Sequence, residues 1–123
     1  MRSLLPALAL VILLAAAPAT EAAKPRSCAS ADLRYPFEEG GPKTFGVFKL
    51  RVTGASCTVG HHAAHAWMAQ FEASLRGEGA LEVPKRAGGF SWKELKPNAA
   101  QTYRLRGTKG KTTVTFDYVV PNG

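Results

Sequence analysis

Residues 45–75 read FGVFKLRVTGASCTVGHHAAHAWMAQFEASL, and a change of period inside this stretch decides the fold. From Phe45 to Thr53 apolar and polar residues alternate. Phe48, Leu50 and Val52 share one face, and Lys49, Arg51 and Thr53 the other, the pattern of a half-buried strand. Gly54 and Ala55 break it. Ser56 then offers a side-chain oxygen to cap a helix N-terminus. Cys57, Gly60, Ala64, Trp67, Phe71 and Leu75 follow at three- and four-residue spacing, one stripe of a helix. His61, His62, His65, Gln70 and Glu72 fall largely off that stripe, and Gly77 and Gly79 stop the helix.

Toward the C-terminus the period returns to two. Glu82 to Ala87 is polar, holds a proline and reads as a loop. Gly88 to Trp92 reads as a short strand, and Lys96-Pro97-Asn98 is turn chemistry. Gln101 to Arg106 places Tyr103 and Leu105 on one face and Arg104 and Arg106 on the other. Gly107 to Gly110 reads as a tight connection. In Thr112 to Val119, Val114, Phe116 and Tyr118 point inward and Thr113, Thr115 and Asp117 outward. A strand, a helix and three strands over residues 44–120 predict one α+β domain, a single helix packed on a small antiparallel sheet in the order β-α-β-β-β. Residues 24–43 contain Pro25, Pro36, Pro42 and Gly40-Gly41 and read as an irregular N-terminal segment.

Residues 1–23 have the three parts of a secretory signal: Arg2, an apolar run from Leu4 to Ala17, and small residues that place cleavage after Ala19, Ala22 or Ala23. The run is shorter than the roughly 18 to 20 residues of a spanning helix, and nothing after Ala23 approaches that length. Twin arginines are absent, and Pro25-Arg26-Ser27-Cys28 is no lipoprotein motif, so Sec-type export to the medium or the cell envelope is expected. About 100 residues remain, enough for one modest core. Hydrophobic residues make up 46% and charged residues 20% of the chain, which argues against wholesale disorder. Two cysteines exclude a knottin-like scaffold or a four-thiolate zinc site. In an oxidising compartment Cys28 and Cys57 pair by default.

Sixteen Lys and Arg stand against nine acids, a formal +7. The leader removes Arg2 and Glu21, one charge of each sign, so the mature chain keeps that balance. Lys49, Arg51, Arg104 and Arg106 lie on outward strand positions, and the turn between the last two strands carries Lys109 and Lys111. If the strands are neighbours, these six gather on the sheet face opposite the helix and concentrate anions. No aromatic residues interleave as stacking platforms, so specific nucleic-acid recognition is not expected. His61 and His65, four apart, could present nitrogen to one Zn²⁺ or Cu²⁺. The position after the first of them holds His62, where a metalloprotease helix has its Glu, and the three histidines read better as a solvated helix face. No metal or cofactor is expected. A free Cys57 at the helix N-terminus, with His61 four residues on, would have the parts of a cysteine hydrolase or redox thiol. Pairing with Cys28 removes it.

The step Val52-Thr53-Gly54-Ala55-Ser56-Cys57, with Ala64 and Trp67 after it, resembles a family of small exported, disulfide-stapled proteins common in actinobacteria. Gly89-Phe90-Ser91-Trp92, Tyr103-Arg104-Leu105-Arg106-Gly107 and Val114-Thr115-Phe116-Asp117-Tyr118 resemble its later strands, so the likeness covers roughly Cys28 to Tyr118. The family has no assigned activity, and the resemblance implies export and the disulfide only. Relatives would carry a second cysteine pair where this chain has Trp92 and Leu105. The resemblance therefore implies that these two side chains touch across adjacent antiparallel strands. The expected function is an exported, non-enzymatic domain whose partner is an anionic envelope polymer or other polyanion, the alternative being a cysteine-dependent enzyme or redox protein using Cys57 with His61. Pro84-Lys85-Arg86 marks the loop in which an inhibitory segment would lie.

Overall fold

One long strand organises the sheet. The computed structural model describes residues 24–77, 81–96 and 100–121. Residues 1–23, read above as a leader, Gly79, and Pro97-Asn98, read as a turn, lie outside the described residues. In chain order the elements are β1 (Arg26–Ser27), a 3-10 turn (Ala31–Leu33), β2 (Arg34–Pro36), β3 (Lys43–Thr53), α1 (Cys57–Arg76), β4 (Arg86–Ala87), β5 (Phe90–Leu95), β6 (Thr102–Lys109) and β7 (Thr112–Val119). The strands form one antiparallel sheet in the order β1-β3-β7-β6-β5-β4, and β2 pairs with the rest of the outer edge of β3. The helix covers one face, the α+β arrangement expected from the order of periods.

The N-terminal segment is more ordered than its prolines suggest. β1 and β2 together cap the edge of β3, and Leu33 between them is buried. Strands of two and three residues are too short to show a period, so only their pairing reveals them. Gly46 makes the approach feasible. Its φ is +107°, and a Cβ there would lie 2.2 Å from the Leu33 carbonyl oxygen. Ser30, also buried, donates to the Val47 carbonyl at 2.8 Å, and Arg34 Nε donates to the same oxygen at 2.7 Å. The Cys28–Cys57 disulfide, with a Cα–Cα distance of 5.5 Å, joins this segment to the first residue of α1.

The alternation read along β3 changes phase midway. Phe48 pairs with Asp117 but Arg51 with Thr115, so three steps on β3 oppose two on β7. The extra residue is a β-bulge, and Lys49 sits in it with φ +56°. Before the bulge Val47 points inward and Phe48 outward; after it Leu50 and Val52 point inward as expected. Phe48 therefore leaves the core face on which the sequence placed it. The Arg34 guanidinium lies over its ring, 4.2 Å from the centroid.

Helix α1 begins where Ser56 predicts, with the Ser56 hydroxyl accepting from the Val59 N–H at 3.3 Å. Gly60, Ala63, Ala64, Trp67 and Phe71 are its buried residues. Gly60 lets the helix approach the sheet closely, since a Cβ there would stand 3.1 Å from Val52 Cβ. Leu75, expected on the same stripe, is 51% exposed. Each four-residue step overshoots a full helical turn by about 40°, so the stripe drifts off the sheet after Phe71. Trp67 stacks on Phe71 at 4.9 Å and meets Phe116 edge-on at 5.4 Å, the geometries aromatic pairs prefer.

Trp92 and Leu105 lie on adjacent antiparallel strands and belong to one core cluster. They are not a direct pair. The register sets Trp92 opposite Gly107, and Leu105 opposite Glu94. The indole occupies the space a side chain at 107 would need: a Cβ there would lie 2.6 Å from Trp92 Cζ3. Trp92 Nε1 donates to the Ala87 carbonyl at 3.0 Å, which locks the ring in place.

Candidate functional site

The sheet face turned away from α1 carries no helix, and the strand register arranges its side chains in rows. One row runs Lys93, Arg106, Thr115, Arg51 and Ser27 across five strands. On one side of it lies the row Leu95, Arg104, Asp117 and Phe48. On the other lies Arg86, Ser91, Thr108, Thr113 and Thr53. The bulge at Lys49 brings that side chain to the same surface. Two shallow depressions mark it. One, of 340 Å³, is lined by Lys49, Arg51, Leu95, Arg104, Thr115, Phe116 and Asp117. The other, of 400 Å³, is lined by Pro25, Arg51, Thr53, Leu95, Arg106, Thr113 and Thr115. They share Arg51, Leu95 and Thr115 and form one trough. Leu95 on β5 and Pro25 beside β1 both border it, so the face is concave along that diagonal.

The cations of this face fall into two groups. Asp117 is only 7% exposed, and its Oδ1 accepts from Arg104 Nε at 3.0 Å and its Oδ2 from Arg104 Nη2 at 3.4 Å. Lys49 Nζ stands 3.9 Å from the same carboxylate. The hydrogen bond to Asp117, and then its charge, raise the already high pKa of Arg104. A carboxylate withdrawn from water needs such partners to offset its lost hydration, so Arg104 and Lys49 are engaged with Asp117 as well as facing solvent. Arg51, Arg86, Arg106 and Lys93 differ: among the described residues none of them makes an ion pair.

Lys109 and Lys111 do not join the trough. Lys109 alternates with Leu105 and Gly107 onto the helix side, where its Nζ lies 5.9 Å from the Phe90 ring centroid. β6 runs through Lys109, so this residue sits in the ladder rather than in the turn, which is made by Gly110 and Lys111. Lys111 is at the hairpin tip, with its carbonyl packed against Gly54. Lys93, absent from the sequence-derived set, belongs to the central row. Its signal was latent in the alternation of Phe90 and Trp92, but only the β5–β6 register sets it opposite Arg106.

The helix-side candidates have other engagements. His61 Nε2 lies 2.6 Å from Asp32 Oδ2, tying α1 to the 3-10 turn. That hydrogen bond, foremost, holds the Asp32 carboxyl below its ordinary range. His65 is one turn further along and solvent-facing. Among the described residues no group of three or more metal-ligating side chains converges, so His61 and His65 gain no third ligand there. Cys57 Sγ is bonded to Cys28 Sγ and is not a thiol in this state. Glu72, which the stripe left off the core face, accepts from the buried Tyr118 hydroxyl at 2.5 Å, and the Tyr35 hydroxyl lies 3.3 Å from the same oxygen of Tyr118. Burial, and then the bond to Glu72, push the Tyr118 phenol far above its ordinary pKa. Pro84 is buried and the Lys85 carbonyl accepts from Trp92 N–H at 2.8 Å, so Pro84-Lys85-Arg86 is held against the sheet edge. Among the described residues no helix is long and apolar enough to cross a membrane.

Comparison of the chain with protein-family models, with curated proteins and with solved structures finds no match, which leaves the geometry of the trough and its neighbours as the ground for any functional reading.

Proposed function

We propose that the protein is an exported, non-enzymatic domain that binds an anionic polymer through the uncovered face of its sheet. The observation that carries this reading is the central row, in which Lys93, Arg106 and Arg51 stand across four neighbouring strands with Thr115 as their one neutral interruption. Strands lie about 4.8 Å apart, so the row spans about 14 Å, the reach of several repeat units of a polymer rather than of one small anion. Lys93 and Arg106 are directly opposite, an arrangement that costs roughly 0.2 to 1 kcal/mol when nothing neutralises it. A bound polyanion removes that cost and gains affinity from released counterions. Export and a disulfide fit a partner outside the cytoplasm, an envelope polymer above all.

The test is retention on immobilised heparin and on DNA in low salt, repeated over a range of salt concentrations. Retention should fall steeply with salt and should drop when Lys49, Arg51, Arg104 and Arg106 are changed together to Ala. Retention unchanged by those four substitutions would remove the face from consideration. Thiol titration of the unreduced protein bears on the enzyme alternative: no reactive thiol is expected, and two per chain would restore Cys57 with His61 as a catalytic pair.

A further inference from the structure

The trough is more than a diffuse positive surface. The geometry points to a discrete site for one tetrahedral oxyanion, a phosphate or sulfate ester group of the polymer, held between Arg51 and Arg106 over the hydroxyl of Thr115. This inference rests on the polyanion reading and narrows it to a ligand chemistry.

The register carries the argument. Arg51 on β3 and Arg106 on β6 are both direct partners of Thr115 on β7. Their Cα atoms thus flank Thr115 symmetrically, one strand spacing to each side and about 10 Å from each other. Arginine side chains are long enough to converge over the residue between them. All three residues line the 400 Å³ depression, together with Thr53 and Thr113, which are themselves a cross-strand pair. Arg51 and Arg106 have no carboxylate to satisfy among the described residues, whereas the neighbouring Arg104 is committed to Asp117. Asp117 thereby assigns the two ends of the trough different roles: the Arg104 end is neutralised from within and the Arg106 end is left to bind.

The donor set selects the anion. One guanidinium fork already satisfies both oxygens of a planar carboxylate. Two forks approaching from opposite sides with a hydroxyl beneath them supply donors in three directions, which suits the oxygens of a tetrahedral phosphate or sulfate. Phe48, the aromatic of the outward rows among the described residues, has the Arg34 guanidinium over its ring, and Phe116, which also lines the trough, is buried. Base stacking is therefore no part of the site, and the ester group itself, not a nucleobase, is recognised.

The experiment titrates the protein with inorganic phosphate and with inorganic sulfate while following the arginine Nε–H resonances by NMR. Heparin retention is measured in parallel. Saturable shifts at the Nε–H groups of Arg51 and Arg106, and not at that of Arg104, are expected. The charge-conserving variants Arg51→Lys and Arg106→Lys should each weaken phosphate binding about tenfold, because a lysine keeps the charge and loses the fork. Thr115→Val, close in shape, should weaken it severalfold with an unchanged melting temperature. The Lys variants should keep most of the heparin retention. A carboxylate polymer such as polyglutamate should bind more weakly than a polyphosphate of equal charge. Equal phosphate affinity in the Lys variants, the absence of saturation, or equal binding of polyglutamate and polyphosphate would overturn the discrete site. Heparin retention that persists in those cases would show that the broader polyanion reading survives without it, and loss of retention altogether would show that both have failed. Preference for sulfate over phosphate, or the reverse, identifies which ester the site takes.

Discussion

Gly107→Ala tests the packing that holds β5 on β6. A methyl at 107 would meet Trp92 Cζ3 at 2.6 Å and two further ring atoms at 2.7 Å. The ring cannot simply swing away. Trp92 is 6% exposed, its indole N–H is bonded to the Ala87 carbonyl at 3.0 Å, and Phe116 packs edge-on against it at 5.5 Å. Overpacking of a filled core costs about 1–3 kcal/mol. Displacing the indole from its hydrogen bond adds about 0.5–1.5 kcal/mol. Ala in place of Gly in a strand returns about 0.5–1 kcal/mol of backbone entropy. The net expectation is a loss of about 2 kcal/mol, with the melting temperature lowered by roughly 4–8 °C for each kcal/mol in a domain of this size. Denaturant unfolding followed by tryptophan fluorescence measures it. The companion variant Trp92→Leu should cost stability alone, yet in combination with Gly107→Ala the two should couple favourably by at least about 1 kcal/mol, because the methyl then fills vacated space. A neutral or stabilising Gly107→Ala, or strictly additive losses, would refute this account of why a glycine stands at 107.

Reduction of the disulfide, or Cys28→Ser with Cys57→Ser, should lower stability by roughly 3 to 4 kcal/mol, as the chain-entropy model gives for a separation of 29 residues; denaturant midpoints with and without reductant measure it. Asp32 has a folded-state pKa below its ordinary value of 3.8, the hydrogen bond to His61 being the main cause. Its contribution is therefore present above pH about 4 and lost as the pH falls through the depressed value, and Asp32→Asn should flatten the acid limb of a stability–pH curve. Tyr118 has the opposite sign on the alkaline side. Its pKa is raised from 10.0, so its contribution is complete below pH 10 and declines as the pH rises above it. Tyr118→Phe should weaken that alkaline loss, and absorbance titration should show one tyrosine that ionises only on unfolding.

The chain's local chemistry announced much of this architecture. Alternation in β5, β6 and β7 put Phe90, Trp92, Leu105, Val114, Phe116 and Tyr118 on the core face, and the Ser56 cap and small-residue spacing of α1 located the helix, because each of these signals depends only on residues within a turn or two of one another. The outward positions of Arg51, Arg104 and Arg106 were legible for the same reason. Tertiary structure decided what depends on partners far along the chain. The bulge at Lys49 exchanged Phe48 for Val47 in the core, since a single extra residue inverts every side chain before it, and nothing in the local pattern marks its place. The two- and three-residue strands of the N-terminal segment exist only as edges of β3. Cross-strand register set Trp92 over Gly107 rather than Leu105 and brought Lys93 into line with Arg106, and the pairing of β6 with β7 as far as Lys109 showed that the alternation runs on through that residue to the helix side. It also gave Arg104 and Lys49 to Asp117 while leaving Arg51 and Arg106 on either side of Thr115. Periodicity tells which face a residue takes, but who stands beside it is settled by the pairing of strands separated by tens of residues, and a binding site is made of neighbours.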